Sequence, residues 1–217
     1  KSFSFIDFSN KLSNDTLSFI HLNNNSKNFQ SIANQLGFLS SMMAIPDQIH
    51  SSDVLYIDKP GNYNNIDGLI TNIPNIFLTL KVADCVPVYI YASKTKIIGL
   101  IHAGWRGIIG GIVQNAILNM NQLGAEKTEI NLFLGPSIGI CCYEVDEDVA
   151  VHFNINAKVK LKNGKWKVGL REQIIYTLVE LGIINENIKQ SNICTFEEKD
   201  FHSYRRDGIN SDRMIAF

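Results

Sequence analysis

The sequence predicts an α/β protein, on three observations. Residues 81–107 read KVADCVPVYIYASKTKIIGLIHAGWRG, two β-branched and aromatic runs joined by Ser93-Lys94-Thr95. That link is too short for a parallel crossover, so the pair is expected to be an antiparallel hairpin. Next, Ile108, Ile109, Ile112, Val113, Ala116, Ile117, Met120 and Leu123 recur at helical spacing and stop at Gly124. Finally, short apolar runs at 54–57, 76–82, 130–134 and 188–195 read as strands on either side of the hairpin, with 76–82 apolar enough to be central.

Taken in order, residues 2–8 alternate polar and aromatic side chains as an edge strand does, and 19–22 form a second short run. The polar stretch 23–26 is a turn. Phe29, Ile32, Ala33 and Leu36 then repeat at helical spacing, with Gly37 as the stop. Asp67-Gly68 precedes the β-branched run 69–71. After the hairpin and the long helix, strand 130–134 runs into Gly135-Pro136-Ser137-Ile138-Gly139, a loop that lacks the Lys-Ser/Thr ending of a phosphate-gripping P-loop. A short helix opens at 146–148 with acids in its first turn. Asn163-Gly164 centres a hairpin over 159–168. Leu170, Ile174, Ile175, Leu178 and Leu181 make a last amphipathic helix ending at Gly182, and 213–217 is a terminal strand.

Composition narrows the function. A chain of 217 residues with 45% hydrophobic content builds a substantial core, and one domain over 1–217 is expected. The balance of 20 Lys and Arg against 21 Asp and Glu, net charge -1, offers no electrostatic footprint for nucleic acid or an anionic membrane. No run approaches the roughly 20 apolar residues of a membrane span. The opening KSFSFIDFSN has neither signal-peptide organisation nor an initiator Met, the pattern of a trimmed chain. The 4 cysteines, two of them adjacent at Cys141 and Cys142, are no disulfide framework. A reducing, cytoplasmic setting is therefore expected, with Cys141, Cys142 and Cys194 as free thiols.

Chemistry gathers at the open end of the hairpin. With the turn centred near Ser93 and Lys94, counting outward sets Cys85 opposite His102, on one face. Directly opposed positions suit two ligands of one metal, with thiolate at about 2.3 Å and imidazole at about 2.0–2.1 Å from zinc. Singly, such a Cys is a small buried hydrophobe and such a His a hydrogen-bonded structural residue; their shared setting between Ala83-Asp84 and Ala103-Gly104-Trp105-Arg106-Gly107 raises the pair. The helix that starts beside Arg106 offers free N–H groups to an anion, against the plainer reading of a solvated Arg. Phe201-His202-Ser203-Tyr204-Arg205-Arg206 adds adjacent guanidinium groups suited to phosphate, although paired arginines are commonly surface charge.

Gln48-Ile49-His50-Ser51, Asp67-Gly68, Ala83-Asp84-Cys85-Val86-Pro87, His102-Ala103-Gly104-Trp105-Arg106-Gly107, Gly135-Pro136-Ser137-Ile138-Gly139 with Cys142-Tyr143-Glu144, and Ser203-Tyr204-Arg205-Arg206 occur in that order. Together they resemble the laccase-domain family, variously described as polyphenol oxidoreductase, purine nucleoside phosphorylase and peptidoglycan editing factor. The resemblance implies a layered α/β mixed-sheet architecture with flanking helices, and a metal triad falling on His50, Cys85 and His102, also the catalytic centre. It implies zinc as the cofactor, with copper the secondary alternative. The implied partners are a purine nucleoside (adenosine, inosine or S-methyl-5'-thioadenosine) and inorganic phosphate, with added adenosine deaminase activity. Arg106, Arg205 and Arg206 are the candidates for phosphate; Asp84 or Glu144 for a proton or for orienting a ligand; Trp105 or Tyr143 for stacking on the base. The chain departs from the family pattern at Ser9-Asn10-Lys11-Leu12-Ser13, which replaces an Arg-Gly-Gly segment, at Gly169 and at Asp212. Multicopper phenol oxidation would need more histidines than the 5 present. A Cys85/His102 nucleophile–base pair for amide hydrolysis and a closed structural zinc domain are the remaining alternatives.

Overall fold

The computed structural model describes residues 5–12, 18–22 and 29–217; the turn expected at 23–26 lies outside them. The central sheet contains β1 (Val54–Tyr56), β2 (Gly68–Thr71), β3 (Val86–Ala92), β4 (Ile97–Ala103), β5 (Ile130–Leu134) and β6 (Ile188–Gln190). Their spatial order is β6-β5-β3-β4-β2-β1. The four inner strands pair antiparallel and the two outer pairs parallel, so the sheet is mixed.

The sheet is buried on both faces, which is why β3 reads as continuous apolar sequence rather than as an alternation. Val86, Val88 and Ile90 point to a helical layer, where Ile112, Val113, Ala116, Ile117 and Met120 supply the facing stripe. Tyr89, Leu100 and Phe133 point the other way, against Ile20, Leu80 and Met214. Those residues belong to a second, antiparallel sheet of Phe5–Asp7, Phe19–His21, Met214–Ala216 and Leu80–Val82. Its outer face carries Ile215 beneath the helix Phe29–Leu36, where Ile32 and Ala33 are buried. Helix, sheet, sheet and helices thus stack in layers, each strand's period of two feeding two cores. Among the described residues no helix is long and apolar enough to cross a membrane.

Four expectations about the fold need correction. The long helix is two: α1 (Trp105–Gly110) and α2 (Ile112–Gln122), because Gly111 adopts φ 93°, a left-handed conformation that caps the first and opens the second. The helix beginning beside Arg106 therefore has only 6 residues and a correspondingly weak dipole. The run 76–82 divides into Phe77–Leu78 and Leu80–Val82, which join different sheets at their edges; Thr79 between them turns its N–H and hydroxyl onto the Ala44 carbonyl. The run 188–195 is strand only over β6. Elsewhere, the Asn163-Gly164 hairpin joins Lys158–Lys160 to Trp166–Val168, and α3 spans Leu170–Glu180.

The hairpin itself is antiparallel, but its register is not the one counted from Ser93 and Lys94. His102 pairs with Pro87 and Ala103 with Val86. Continuing the ladder sets Gly104, not His102, against Cys85. The loop is longer than expected because Lys96 takes φ 58° and because Glu129, far off in sequence, grips the Ser93 and Lys94 N–H groups from outside the hairpin.

Candidate metal centre and its pocket

Cys85 precedes β3 and His102 lies near the end of β4, so they occupy diagonal positions on one face of the hairpin, still within side-chain reach. His50 arrives from the loop before β1. Its backbone is held at φ 63°, a conformation uncommon for a residue with a Cβ. One ligand atom from each of His50, Cys85 and His102 lies within 4.8 Å of the others, and the two imidazole rings meet edge to face at 4.8 Å.

Asp67, fully buried just ahead of β2, organises this cluster. Its Oδ2 accepts the N–H groups of Ile49 at 3.0 Å and Ser51 at 2.7 Å; its Oδ1 accepts the His50 N–H at 3.0 Å and His102 Nδ1 at 2.8 Å. One carboxylate thus shapes the loop that presents His50 and fixes the ring of His102, leaving Nε2 of that ring for the site. Burial pushes the Asp67 carboxyl up, but the hydrogen bonds from His102 and the loop outweigh it and hold it below the usual range.

The same balance governs the thiol. Burial would raise Cys85, yet the charge and hydrogen bond of His102, joined by His50, pull it down to about 6. Burial would lower His102, but Cys85 and Asp67 push it up to about 9. At neutral pH the two form a thiolate–imidazolium pair, and a cation taking the thiolate and the Nε2 lone pair displaces that proton. The donor set fits such a cation. Two imidazoles and one thiolate leave a tetrahedral ion one open position, the arrangement of catalytic rather than structural zinc sites. Gly104 leaves the room: a Cβ there would lie 2.9 Å from Cys85 Sγ and 3.2 Å from His50 Cδ2.

The cluster lines one wall of a pocket of about 690 Å³. Three guanidinium groups surround it, each over an aromatic ring: Arg106 over Trp105 at 4.3 Å, Arg205 over Tyr143 at 4.8 Å and Arg213 over Tyr204 at 5.5 Å. Stacking orients these cations while leaving their edges to donate. Tyr143, pushed up to about 12 chiefly by burial, is a neutral phenol. A second cavity of about 700 Å³ lies farther along β3 and β4, where Tyr89, Tyr91, Ile98 and Leu100 line it, without the His/Cys cluster.

Three expected site residues are committed elsewhere. Arg206 faces away: its guanidinium donates to the carbonyls of Thr195, Phe196 and Phe201 and pairs with Asp207 at 2.9 Å. Asp84 does border the pocket, but its carboxylate accepts the Thr195 hydroxyl at 2.7 Å and the Arg205 N–H at 2.6 Å, so it positions the Arg205 segment rather than offering a free base. Glu144 contributes its carbonyl to Arg205 Nη1 and turns its carboxylate to Lys165. Tyr204 does line the pocket, as do Arg213 and Lys81, which no motif pointed to. The placement of Arg213 depends on pairing of the terminal strand with Leu80–Val82, a contact no local pattern announces.

The chain resembles known proteins in sequence and in fold. Relatives include "Adenosine deaminase RL5" from an unknown prokaryotic organism, 34% identical over 85% of this chain and 78% of that protein. "Purine nucleoside phosphorylase SSP1584" of Staphylococcus saprophyticus is 32% identical over 89% and 79%. Among solved structures, the Bacillus licheniformis hypothetical protein YfiH superposes with a TM-score of 0.91 at 28% identity, covering 100% of this chain and 96% of that one. YlmD from Geobacillus stearothermophilus gives 0.87 at 27% identity, covering 93% and 90%. With the family model matching residues 21–217, this chain belongs to the multi-copper polyphenol oxidoreductase laccase family.

Proposed function

We propose that the protein is a zinc-dependent purine nucleoside phosphorylase acting on adenosine, inosine and S-methyl-5'-thioadenosine, with adenosine deaminase activity. The observation that carries this reading is a three-ligand His/Cys cluster sharing one pocket with three ring-stacked arginines. Phosphorolysis needs an anion site beside the ribose and a means of stabilising charge on the departing base. The names of the relatives support both activities, one being named an adenosine deaminase and the other a purine nucleoside phosphorylase.

In this reading His50, Cys85 and His102 hold the zinc. Bound there, zinc supplies a Lewis acid and a water of lowered pKa. The protein's own groups do the rest. Asp67 keeps His102 Nε2 and the His50 loop aimed at the site. Arg106, Arg205 and Arg213 bind phosphate and orient it by their forked donors. Tyr143 donates a hydrogen bond as a neutral phenol, and the exposed faces of the ring–arginine pairs provide a platform for the purine. Copper-dependent phenol oxidation is not supported by the donor set: among the described residues, this is the one cluster of potential ligands that contains histidine.

A second reading rests on the thiolate–imidazolium pair, the state of an activated nucleophile for amide hydrolysis. Product analysis separates the two. Incubating zinc-loaded protein with each nucleoside, with and without phosphate, should release free base and ribose 1-phosphate only when phosphate is present (methylthioribose 1-phosphate from the thio substrate). Conversion of adenosine to inosine without phosphate would indicate deamination alone. Absence of both, with hydrolysis of an amide-linked cell-wall precursor by metal-free protein, would favour the amidase.

A further inference from the structure

The other three cysteines gather at a second place. Cys141 and Cys142 follow the glycine loop after β5, with their Sγ atoms 3.3 Å apart. Cys194 arrives from the segment after β6, which is tied to the same loop by a parallel bridge between Ser137 and Cys194 and by the Thr195 N–H on the Ser137 carbonyl. Glu197 completes the group, its Oε1 3.5 Å from Cys142 Sγ. One ligand atom from each of the four lies within 4.8 Å of the rest.

We propose that Cys141, Cys142, Cys194 and Glu197 form a second site, distinct from the His/Cys cluster, for one thiophilic divalent cation of the zinc class. A tetrahedral ion with zinc–sulfur bonds of about 2.3 Å holds its sulfurs about 3.8 Å apart, so the observed spacings close on an ion with movements of an ångström or less. Three soft sulfurs and one carboxylate select zinc-like ions over calcium or magnesium. Four protein donors close the coordination sphere, the arrangement of structural sites, whereas the His/Cys cluster supplies three and leaves a position open. The surroundings are shaped for the cluster. Gly139 donates its N–H to Cys194 Sγ at 3.2 Å, and a Cβ at Gly139 would lie 3.0 Å from Cys141 Sγ and 3.4 Å from Cys194 Cβ. Cys194 is buried while Cys141 and Glu197 reach solvent, so an ion has a route in.

Such an ion would clamp two walls of the first pocket from behind. Ile138 and Tyr143 line that pocket on either side of the cysteine pair, and Thr195, next to Cys194, donates to Asp84. The site is therefore structural and does not take part in the chemistry.

The test uses the full-length His50→Ala/Cys85→Ala variant under a phosphine reductant, in which these are the three remaining thiols. Titration with cadmium should develop thiolate-to-metal charge-transfer absorption saturating near one equivalent. Adding Cys141→Ser or Cys142→Ser, both at accessible positions, should weaken binding by more than about 10-fold, the loss produced by changing residues that merely support a ligand. No absorption in a folded variant with three reactive thiols would overturn the proposal, as would absorption indifferent to both serine substitutions. Should the double variant not fold, elemental analysis of zinc-saturated protein decides. About two zinc per chain, falling to one in Cys141→Ser, supports the site; equal zinc in both proteins refutes it.

Discussion

Replacing Asp67 by Asn probes the centre of the arrangement with a near-isosteric change. Each Asp67 oxygen accepts two donors: Oδ2 from Ile49 and Ser51, Oδ1 from His50 and His102. Whichever way the amide is turned, its NH₂ group replaces one oxygen and meets two donors. Two charge-assisted hydrogen bonds are lost, at about 1.5–3 kcal/mol each. Relaxation of the exposed His50 loop recovers part, so a net destabilisation of about 3 kcal/mol is expected. For a chain of this length that lowers the melting temperature of metal-free protein by roughly 6–12 °C. Zinc affinity, measured by competition with a chromophoric chelator, should fall about 10- to 100-fold because His102 is no longer oriented. The sign with pH follows. A carboxyl held below its unfolded pKa contributes its full stability above the ordinary aspartate range and loses it as pH falls through the depressed folded value. The wild type should show that acid loss and Asp67→Asn should lack this share of it. A melting temperature within about 1 °C of wild type, with zinc affinity unchanged within about twofold, would refute the organising role given to Asp67.

Other expectations follow from the same geometry. Gly104→Ala should leave far-ultraviolet circular dichroism unchanged yet weaken zinc binding more than about 10-fold, since its Cβ would press on Cys85 Sγ and His50. In metal-free protein, alkylation of Cys85 by iodoacetamide should rise with an apparent pKa of about 6; in His102→Ala the midpoint should move up toward the ordinary thiol range, and an unmoved midpoint would remove His102 as the cause. Arg205→Gln or Arg213→Gln should raise the phosphate KM with zinc retained. Arg206→Gln should instead cost about 2 kcal/mol of stability through its lost carbonyl contacts and leave the phosphate KM unchanged, as urea denaturation and initial rates will report.

What the sequence made legible was whatever depends on local pattern. The hairpin's strands, the Asn163-Gly164 turn, the helix at Leu170–Glu180 and the strand Ile130–Leu134 all announce themselves in period and punctuation. The misses have non-local causes. The hairpin turn is set by Glu129, and a one-residue shift of its centre moves the partner of Cys85 by two positions, from His102 to Gly104. Cys85 and His102 still meet, because a two-residue shift preserves the face even as it changes the partner. Arg205 and Arg206 illustrate the opposite limit. Adjacent and chemically identical in sequence, they sit in one short helical turn, Tyr204–Asp207, whose rotation of about 100° per residue sends one to the pocket and the other into a ring of carbonyls.

Asp67 was visible only as half of an Asp-Gly pair, since a carboxylate's four partners cannot be read from one strand. Its role also explains where the backbone is strained. His50 at φ 63° and Asp84 at φ 85° are non-glycine residues in left-handed territory, and both border the pocket. Each such residue costs on the order of 1–2 kcal/mol. A buried carboxylate stands at both places. Asp67 collects three consecutive N–H groups around His50, while Asp84 uses its own carboxylate to collect Thr195 and Arg205 and its carbonyl to collect the Ile138 N–H. Three charge-assisted bonds in the first case and three bonds in the second outweigh the strain. The fold can therefore hold a His ligand and an arginine-bearing segment in conformations that neither would adopt alone, and their geometry is set before any substrate arrives.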